Sequence, residues 1–272
     1  MKAFIFGAGY SGRAYGRLLA QRAVPVSGTT RTAGKAEALR ADGIEPFLFD
    51  GGKASDDLLE ALRDATHLIV SIGPESKGDP VVNALRAGVA ALPKLEWIGY
   101  LSTVGVYGDH GGEWVTEETA CRPVSQRSVQ RLAAETSWQI FADMISAPLA
   151  ILRLSGIYGP GRNAFVNLEN GSAKRLIKTG QVFNRIHVDD IARALEFLGE
   201  RRAAGIYNIT DDEPSPPQDV VEYAASLMKV DPPPQIDFDT ATISPMARSF
   251  YGENKRVSNA KVKLAGFDFV YP

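Results

Sequence analysis

The most suggestive chemical feature of the sequence is a glycine-rich segment that directly follows a short apolar run. The segment Gly7-Ala8-Gly9-Tyr10-Ser11-Gly12 has the spacing GxGxxG between a predicted strand and a predicted helix. The first glycine permits a tight turn, the second lets the backbone approach a diphosphate, and the third lets the helix pack closely on the strand. The free N–H groups at the start of that helix attract anions. The pattern predicts a dinucleotide-binding loop rather than a turn that only packs a helix, with contacts from Gly7, Gly9, Tyr10, Ser11 and Gly12.

The end of the second predicted strand bears on which dinucleotide is bound. NAD sites usually carry an Asp or Glu about 20 residues after the glycine loop, where it holds the ribose hydroxyls. Here the segment reads Gly28-Thr29-Thr30-Arg31, without an acid, and Lys35 follows one turn later. A guanidinium forks onto a phosphate, so we expect Arg31, helped by the hydroxyl of Thr29 or Thr30, to bind a 2′-phosphate. The sequence favours NADP(H) over NAD(H); an ordinary solvated Arg31 is the alternative.

Two further stretches are expected to line the same crevice, because ligands of such sheets bind at the carboxyl ends of the strands. Asp50 ends the third predicted strand and is placed to contact the adenine edge. Ser71, Ile72 and Gly73 end the fourth predicted strand and are expected to face the cofactor.

Apolar runs of strand length alternate with helical patterns through the first half of the chain. The predicted strands are Lys2–Phe6, Val24–Gly28, Glu45–Asp50, His67–Ile72, Trp97–Thr103 and Leu149–Leu154. The predicted helices are Gly12–Arg22, Ala33–Asp42, Ser55–Arg63, Pro80–Leu92 and Ser125–Ile145. This alternation predicts an α/β fold with a doubly wound parallel sheet of the Rossmann type, covered by helices on both faces.

The second half of the chain is less regular. Its pattern predicts a helix over Val188–Gly199, a strand over Gly205–Thr210 and a helix near Gln218–Met228, with Pro- and Asp-rich breaker clusters around the last of these. Since no long linker is present, we expect the two halves to share one compact body.

Composition and charge narrow the classes of partner. The chain has 30 basic and 32 acidic residues, a net charge of −2, and no basic run, so neither nucleic acid nor an anionic membrane is expected as a partner. One cysteine, Cys121, and three scattered histidines give no support for a disulfide or a metal site. The start of the chain has no signal-peptide pattern, and no apolar stretch reaches the length of a membrane helix. The expected location is the cytoplasm.

Four segments of the later chain read STVGVYG, RLSGIYGPG, RIHVDDIA and GIYNI. They lie at Ser102–Gly108, Arg153–Gly161, Arg185–Ala192 and Gly205–Ile209. Together and in this order they resemble the motifs of the extended short-chain dehydrogenase/reductase superfamily, which includes nucleotide-sugar epimerases and dehydratases. The resemblance implies a Rossmann domain over residues 1–160 and a smaller, interleaved substrate-binding part over residues 161–272. It says little about the reaction.

The resemblance also implies where chemistry would occur. The superfamily uses a Tyr-x-x-x-Lys pair on the helix after the fifth strand, where the tyrosine exchanges a proton while hydride moves to or from the nicotinamide. Counting from Pro123 and Ala134-Glu135, which match the flanks of that motif, puts Arg127 at the tyrosine position and Arg131 at the lysine position. Thr103 matches the catalytic Ser/Thr. Because an arginine stays protonated, Arg127 cannot carry the proton. The chain is therefore identified as a member of an atypical, epimerase/dehydratase-like branch.

Two features beside these positions shape the expectation for the substrate. Val104-Gly105 stands where dehydratases have Asp-Glu directly after the threonine, so a dehydratase proton donor is missing as well. Two arginines near a nicotinamide pocket suggest an anionic substrate, such as a carboxylate or phosphate. The alternative is that Arg127, Arg131 and Glu135 form a helical ladder, with Arg131–Glu135 as a surface ion pair.

Other titratable residues near the expected active-site edge are predicted to be structural. Tyr107 occupies a position where the family has a tyrosine whatever the reaction, and His110 is expected in a solvated loop beside two glycines. Glu117 and Glu118 are expected to cap the turn before the long helix. His187 is expected to support the helix that starts at Asp189 or Asp190.

Three function classes follow. The first is an NADP-dependent oxidoreductase or epimerase-like enzyme that acts on a small, anionic or carbohydrate-like substrate through Thr103, with a non-tyrosine group or water handling the proton. The second is a non-catalytic NADP(H)-binding sensor, favoured by the arginine at position 127. The third, a structural scaffold, is disfavoured by the intact glycine loop. A homodimer through the helices predicted at Pro80–Leu92 and Ser125–Ile145 is implied by the resemblance alone.

Overall fold

A computed structural model describes residues 1–86 and 92–272 of the chain, apart from the side chains of residues 246 and 247. The strands are β1 (Ala3–Phe6), β2 (Val26–Thr30), β3 (Glu45–Leu48), β4 (His67–Val70), β5 (Trp97–Thr103), β6 (Trp114–Val115), β7 (Leu149–Leu154), β8 (Gly156–Tyr158), β9 (Arg175–Ile177), β10 (Arg185–His187), β11 (Gly205–Ile209), β12 (Gln235–Asp237) and β13 (Arg256–Val257). The helices are α1 (Tyr10–Gln21), α2 (Ala33–Ala41), α3 (Asp56–Leu62), α4 (Pro80–Arg86), α5 (Gln126–Met144), α6 (Ala164–Glu169), α7 (Val188–Glu200), α8 (Pro217–Met228), α9 (Pro245–Phe250) and α10 (Ala260–Leu264).

Seven of the strands form one parallel sheet in the order β11-β7-β5-β4-β1-β2-β3. Its central strands are buried on both faces, which is why β1, β4 and β7 consist mostly of apolar residues, with His67 in β4 and Arg153 in β7 as buried exceptions. One core, with side chains from α1 and α7, covers one face, and a second core, with side chains from α3, α4 and α5, covers the other. The predicted doubly wound α/β fold is confirmed.

The main difference from the sequence prediction concerns the second half of the chain. Strand β11 pairs with β7 at the edge of the central sheet, and α7 packs along α1, so residues 188–209 complete the Rossmann part. The remaining strands form three separate parallel pairs, β8 with β10, β9 with β12 and β6 with β13. The division at residue 160 stays a prediction. Residues 87–91 of the helix predicted over Pro80–Leu92 lie outside the described residues.

Candidate cofactor and active site

The glycine loop lies between β1 and α1. Gly7 has a positive φ of 88°, and its N–H donates to Thr29 Oγ1 at 2.8 Å, which ties the loop to β2. A Cβ at Gly12 would lie 2.5 Å from the Gly7 carbonyl oxygen, so only glycine lets α1 pack this close. A Cβ at Gly9 would meet no atom within 4 Å, which leaves room in front of the loop. Gly7 and Gly12 thus lie where the turn and the helix packing require glycine, whereas the approach of the Gly9 backbone to a diphosphate stays a prediction.

The first turn of α1 lies next to the open space at Gly9, and its backbone N–H groups are not capped by a side chain. Helix α1 begins at Tyr10, no side chain caps it, and its first turn carries no acid. The first N–H groups of a helix have no partner within it and carry a partial positive charge. Together with the open position at Gly9, this first turn suits a diphosphate. The residues present therefore fit a dinucleotide.

The end of β2 is followed by exposed basic residues, and one of its two threonine hydroxyls is buried in a hydrogen bond to the glycine loop. Arg31 and Lys35 are exposed, and Thr30 is partly exposed. Thr29 is 1% exposed and accepts the Gly7 N–H, so of the two predicted hydroxyls Thr30 is the one that remains accessible to a phosphate. Helix α2 has no acid in its first turn, which leaves its N-terminal end positive.

The other predicted crevice residues lie along the carboxyl edge of the sheet. Asp50 is exposed just after β3, and its Oδ1 accepts the N–H of Gly52 at 2.9 Å. Ser71 directly follows β4, and its N–H donates to Phe6 at 2.8 Å, beside the start of the glycine loop. Gly73 is exposed two residues later. The fold thus brings the ends of β1, β2, β3 and β4 to one edge.

Thr103 is the last residue of β5 and is partly exposed. Its Oγ1 accepts the N–H of Gly105 at 3.1 Å, so the hydroxyl proton is not used by that bond. A Cβ at Gly105 would lie 2.7 Å from Ser128 Oγ. The position where dehydratases carry an acid is therefore closed by packing as well as being occupied by glycine.

The two arginines of α5 have different surroundings. Arg131 Nη1 donates to the Leu101 carbonyl at 2.9 Å and to the Tyr100 hydroxyl at 3.2 Å. A Cβ at Gly73 would lie 3.3 Å from Arg131 Nη2, so this guanidinium borders the crevice. Arg127, one turn earlier, is exposed. The arginine at the lysine position is anchored by its neighbours, whereas the one at the tyrosine position is directed by none of the hydrogen bonds found in the described part of the chain.

Glu135 does not belong to a surface ladder. It is 4% exposed, accepts from the Ser102 hydroxyl, and receives two hydrogen bonds from Arg153, at 3.2 and 2.7 Å. The alternative of an Arg131–Glu135 surface pair is therefore wrong, because the helix turns Glu135 into the protein. Burial lowers the pKa of Arg153, but the hydrogen bonds and charge of Glu135 outweigh burial and raise that pKa above its usual value.

The residues predicted to be structural have mixed outcomes. Tyr107 is fully buried, its hydroxyl donates to Asn208 Oδ1 at 2.7 Å, and burial raises its pKa to about 12, in agreement with a structural role. His187 accepts the Asp189 N–H at 3.2 Å and caps α7, as predicted. Glu117 accepts the backbone N–H of Asn208 at 2.8 Å, so its predicted role as a turn cap is wrong.

Sequence reasoning was also wrong about the surroundings of His110. The imidazole is partly buried, and its Nε2 lies 3.1 Å from the Tyr107 carbonyl oxygen. Because a carbonyl only accepts, this contact makes Nε2 the protonated nitrogen. His110 is thus fixed to the 3₁₀ turn Val104–Tyr107 and is not a freely solvated loop residue.

Arg185 and Asp211 form a polar pair that the sequence analysis did not single out. Asp211 follows β11, is 9% exposed, and has no hydrogen-bond partner for Oδ1 among the described residues. Burial raises the pKa of Asp211 to about 7, although the nearby Arg185 guanidinium opposes this shift. Arg185 Nη1 donates to Ser215 Oγ at 2.9 Å, and burial lowers the pKa of Arg185. The only sequence signal was an acid directly after a predicted strand, where substrate groups of such folds lie.

Neither a membrane-spanning helix nor a metal-binding cluster is present among the described residues. Within residues 1–86 and 92–272, no helix is both long and apolar enough to cross a bilayer. The same residues contain no cluster of three or more His, Cys, Asp or Glu side chains arranged to hold a metal ion.

The chain is similar to known proteins in both sequence and fold. The model of the NAD dependent epimerase/dehydratase family matches residues 3–210. A functionally unknown conserved protein from Silicibacter pomeroyi DSS has a solved structure with 47% identity and a TM-score of 0.91, covering 100% of this chain and 94% of that one. Protein YeeZ of Escherichia coli K12 is 28% identical over 285 residues, covering 100% of this chain and 96% of that protein. UDP-glucuronic acid 4-epimerase from Bacillus cereus, solved in complex with NAD, has 18% identity and a TM-score of 0.75, covering 97% of this chain and 91% of that one.

Proposed function

Because the chain belongs to the NAD dependent epimerase/dehydratase family, we propose that it binds NADP(H) along the carboxyl edge of its sheet and acts as an oxidoreductase- or epimerase-like enzyme. The observation that carries this proposal is the open position at Gly9 in front of the uncapped start of α1. Backbone N–H groups there suit a diphosphate, and the adjacent strand ends supply positions for the two nucleotide halves.

The choice of NADP(H) rests on this chain's own residues. The end of β2 offers the exposed guanidinium of Arg31 and, one turn on, the ammonium of Lys35, with no carboxylate in the first turn of α2. A 2′-phosphate suits these two cations, whereas the free ribose hydroxyls of NAD would find no acid to accept their hydrogen bonds. The Bacillus cereus epimerase carries NAD, but at 18% identity it shares the fold alone.

Chemistry is assigned to the region around Thr103. A bound nicotinamide supplies or accepts hydride. The Thr103 hydroxyl, whose oxygen already accepts from Gly105, can donate its proton to a substrate oxygen. Arg131 borders the crevice and can hold ribose hydroxyls, whereas the exposed Arg127 can attract an anionic substrate group. The proton of the reaction is then exchanged by a non-tyrosine group or by water.

A carbohydrate-like substrate is part of the proposal because the family resemblance implies it. Asp211 follows β11 at the carboxyl edge of the central sheet, where ligands of such folds bind. Its Oδ1 has no hydrogen-bond partner among the described residues but is itself buried, so we do not count the Arg185–Asp211 pair among the substrate contacts.

A non-catalytic NADP(H) sensor is the second candidate. The exposed Arg127 favours it, because the position that holds the proton carrier of the superfamily has no acid or base here. Hydride exchange between labelled NADPH and a library of small sugars, sugar acids and phosphates separates the two candidates. Exchange that disappears in Thr103→Val supports the enzyme, and its absence for every compound supports the sensor.

The test of the cofactor is a calorimetric titration with NADPH and with NADH. We expect tighter binding of NADPH, and loss of that preference in Arg31→Ala. Arg40→Ala is the matched control, since Arg40 is an exposed arginine in the last turn of α2, the helix that follows Arg31. Binding to neither nucleotide would refute the proposal, and tighter binding of NADH would refute its choice of NADP.

A further inference from the structure

The segment Phe267–Pro272, here called the 267–272 strap, crosses the start of α7. The carboxylate of Asp190, which is fully buried, accepts the backbone N–H groups of Val270 and Tyr271, each at 2.9 Å. Phe267 is 3% exposed and belongs to the core beneath α7. A buried carboxylate without donors is unfavourable, so these bonds fasten the strap to the helix.

The strap places an aromatic ring against His187. The rings of Tyr271 and His187 are stacked, with centroids 3.6 Å apart and an interplanar angle of 25°. Tyr158 meets the same imidazole edge-on at 5.1 Å, and Nδ1 accepts the N–H of Asp189 at 3.2 Å. The imidazole is therefore held from three sides, and Tyr271 covers one of its faces.

His187 in turn adjoins the turn that contacts the glycine loop. A Cβ at Gly159 would lie 3.3 Å from His187 Nε2, 2.8 Å from Val188 Cγ1 and 2.8 Å from the Tyr10 hydroxyl. That hydroxyl donates to the carbonyl of the next residue, Pro160, at 3.0 Å. Gly159 is thus the point at which His187 and Tyr10 converge.

We propose that Tyr271 is a positioning residue for the cofactor loop, acting through His187 and the Gly159–Pro160 turn on Tyr10. Tyr10 is the first residue of α1, so its placement sets the direction of the N–H groups that suit a diphosphate. This inference rests on the proposed function, because it assumes that the ligand of the loop is NADP(H).

The experiment is a fluorescence titration of the full chain with NADPH, with the melting temperature of each cofactor-free variant measured alongside. We expect Tyr271→Ala to raise the Kd about fivefold, because an imidazole that is no longer covered lets the Gly159–Pro160 turn and Tyr10 shift. The loss of one aromatic stack should lower the melting temperature of the cofactor-free protein by only a few degrees. Tyr271→Phe keeps the ring and should retain the wild-type Kd. Val270→Ala is the matched control, because the Val270 side chain is 56% exposed and its backbone N–H is preserved.

A double variant tests the path itself. Tyr10→Phe removes the bond to Pro160. If Tyr271 acts through Tyr10, the effects of Tyr10→Phe and Tyr271→Ala on the Kd combine to less than their product, whereas independent effects multiply. Multiplying effects would overturn the proposed path.

The outcomes separate this inference from the proposed function. Equal Kd values for the wild type and Tyr271→Ala overturn the inference while NADPH binding stands. A wild type that binds neither NADPH nor NADH overturns the proposed function, and the inference falls with it. Should Tyr271→Ala fail to fold, Tyr271→Leu fills the space without a flat ring, and a wild-type Kd in that variant overturns the inference.

Discussion

At the scale of single residues, Glu135 and Asp211 show how burial changes the meaning of a carboxylate. Glu135 is buried with two hydrogen bonds from Arg153 and one from Ser102, so its charge is matched inside the protein. Asp211 is also buried, but its Oδ1 lacks a partner in the described part of the chain. The first carboxylate holds α5 against β5 and β7, whereas the second is buried without a full set of donors, which raises its pKa.

Asp211 predicts a pH dependence of stability. Because burial raises its folded pKa to about 7, above the unfolded value near 4, the folded state holds the proton more tightly. Stability is then fully present below about pH 4 and is lost as the pH rises through about 7. We expect the free energy of unfolding in urea to fall by up to about 3 kcal/mol between about pH 5 and about pH 8, and this fall to disappear in Asp211→Asn.

Asp212→Asn is the matched control for that measurement. Hydrogen bonds from Asn259 and Lys263 lower the pKa of Asp212, so its contribution is present above its unfolded pKa and is lost as the pH falls. Asp212→Asn should keep most of the slope on the neutral side, because the charge of Asp212 is only a minor cause of the raised pKa of Asp211. The same slope in wild type and in Asp211→Asn would contradict the prediction.

At the scale of elements, the glycine loop and α1 separate folding from binding. Gly12 is required because its Cβ would meet the Gly7 carbonyl oxygen, which is a demand of packing. Gly9 faces open space, so nothing in the fold itself excludes a side chain there. The same motif thus contains one position at which the helix–strand contact requires glycine and one that the fold itself leaves open.

This difference predicts opposite outcomes for two alanine variants. Gly12→Ala should lower the free energy of unfolding by about 1–3 kcal/mol, because the neighbouring backbone must shift. Gly9→Ala should change stability by less than about 0.5 kcal/mol but weaken NADPH binding at least about tenfold, because the methyl group fills the space for the diphosphate. Urea unfolding and NADPH titration of both variants check the pair. Unimpaired NADPH binding by Gly9→Ala would argue against the placement of the cofactor.

In the whole molecule, α5 packs one face against the core and exposes apolar side chains on the other. Its inner face carries Glu135 and Trp138 into the core, and its N-terminal half carries Arg131 to the crevice. Its outer face exposes Val129, Ile140 and Met144, at 49%, 58% and 58%. Apolar side chains in such a row are typical of a surface that another chain covers.

We therefore expect a homodimer that uses the outer face of α5, as the resemblance implied. Sedimentation should give twice the chain mass of 29.4 kDa for the wild type and a single chain mass for Ile140→Glu. Leu227→Glu, at a 55% exposed apolar side chain on α8, is the control and should stay dimeric. A monomeric wild type would remove the basis of this prediction.

The elements of the Rossmann half and the glycine loop could be predicted from the sequence alone, because both follow from the local order of residues. Apolar runs such as Leu149–Leu154 specify buried parallel strands, and the Gly7–Gly12 spacing specifies the turn between strand and helix. Family order then located Thr103, Arg127 and Arg131 on their elements.

The contacts of those side chains could not be predicted from the sequence, because they depend on how the elements pack. Spacing along α5 allowed an Arg131–Glu135 pair, but the packing of that helix turns Glu135 to Arg153, which is 18 residues away in sequence. Likewise the sequence allowed Thr29 to bind a phosphate, but in the folded protein its Oγ1 accepts the N–H of Gly7. Asp211 is an acid in a loop, and its burial beside Arg185 raises its pKa. Hydrogen-bond partners and desolvation arise from contacts between distant segments, and these contacts exist only after the chain has folded.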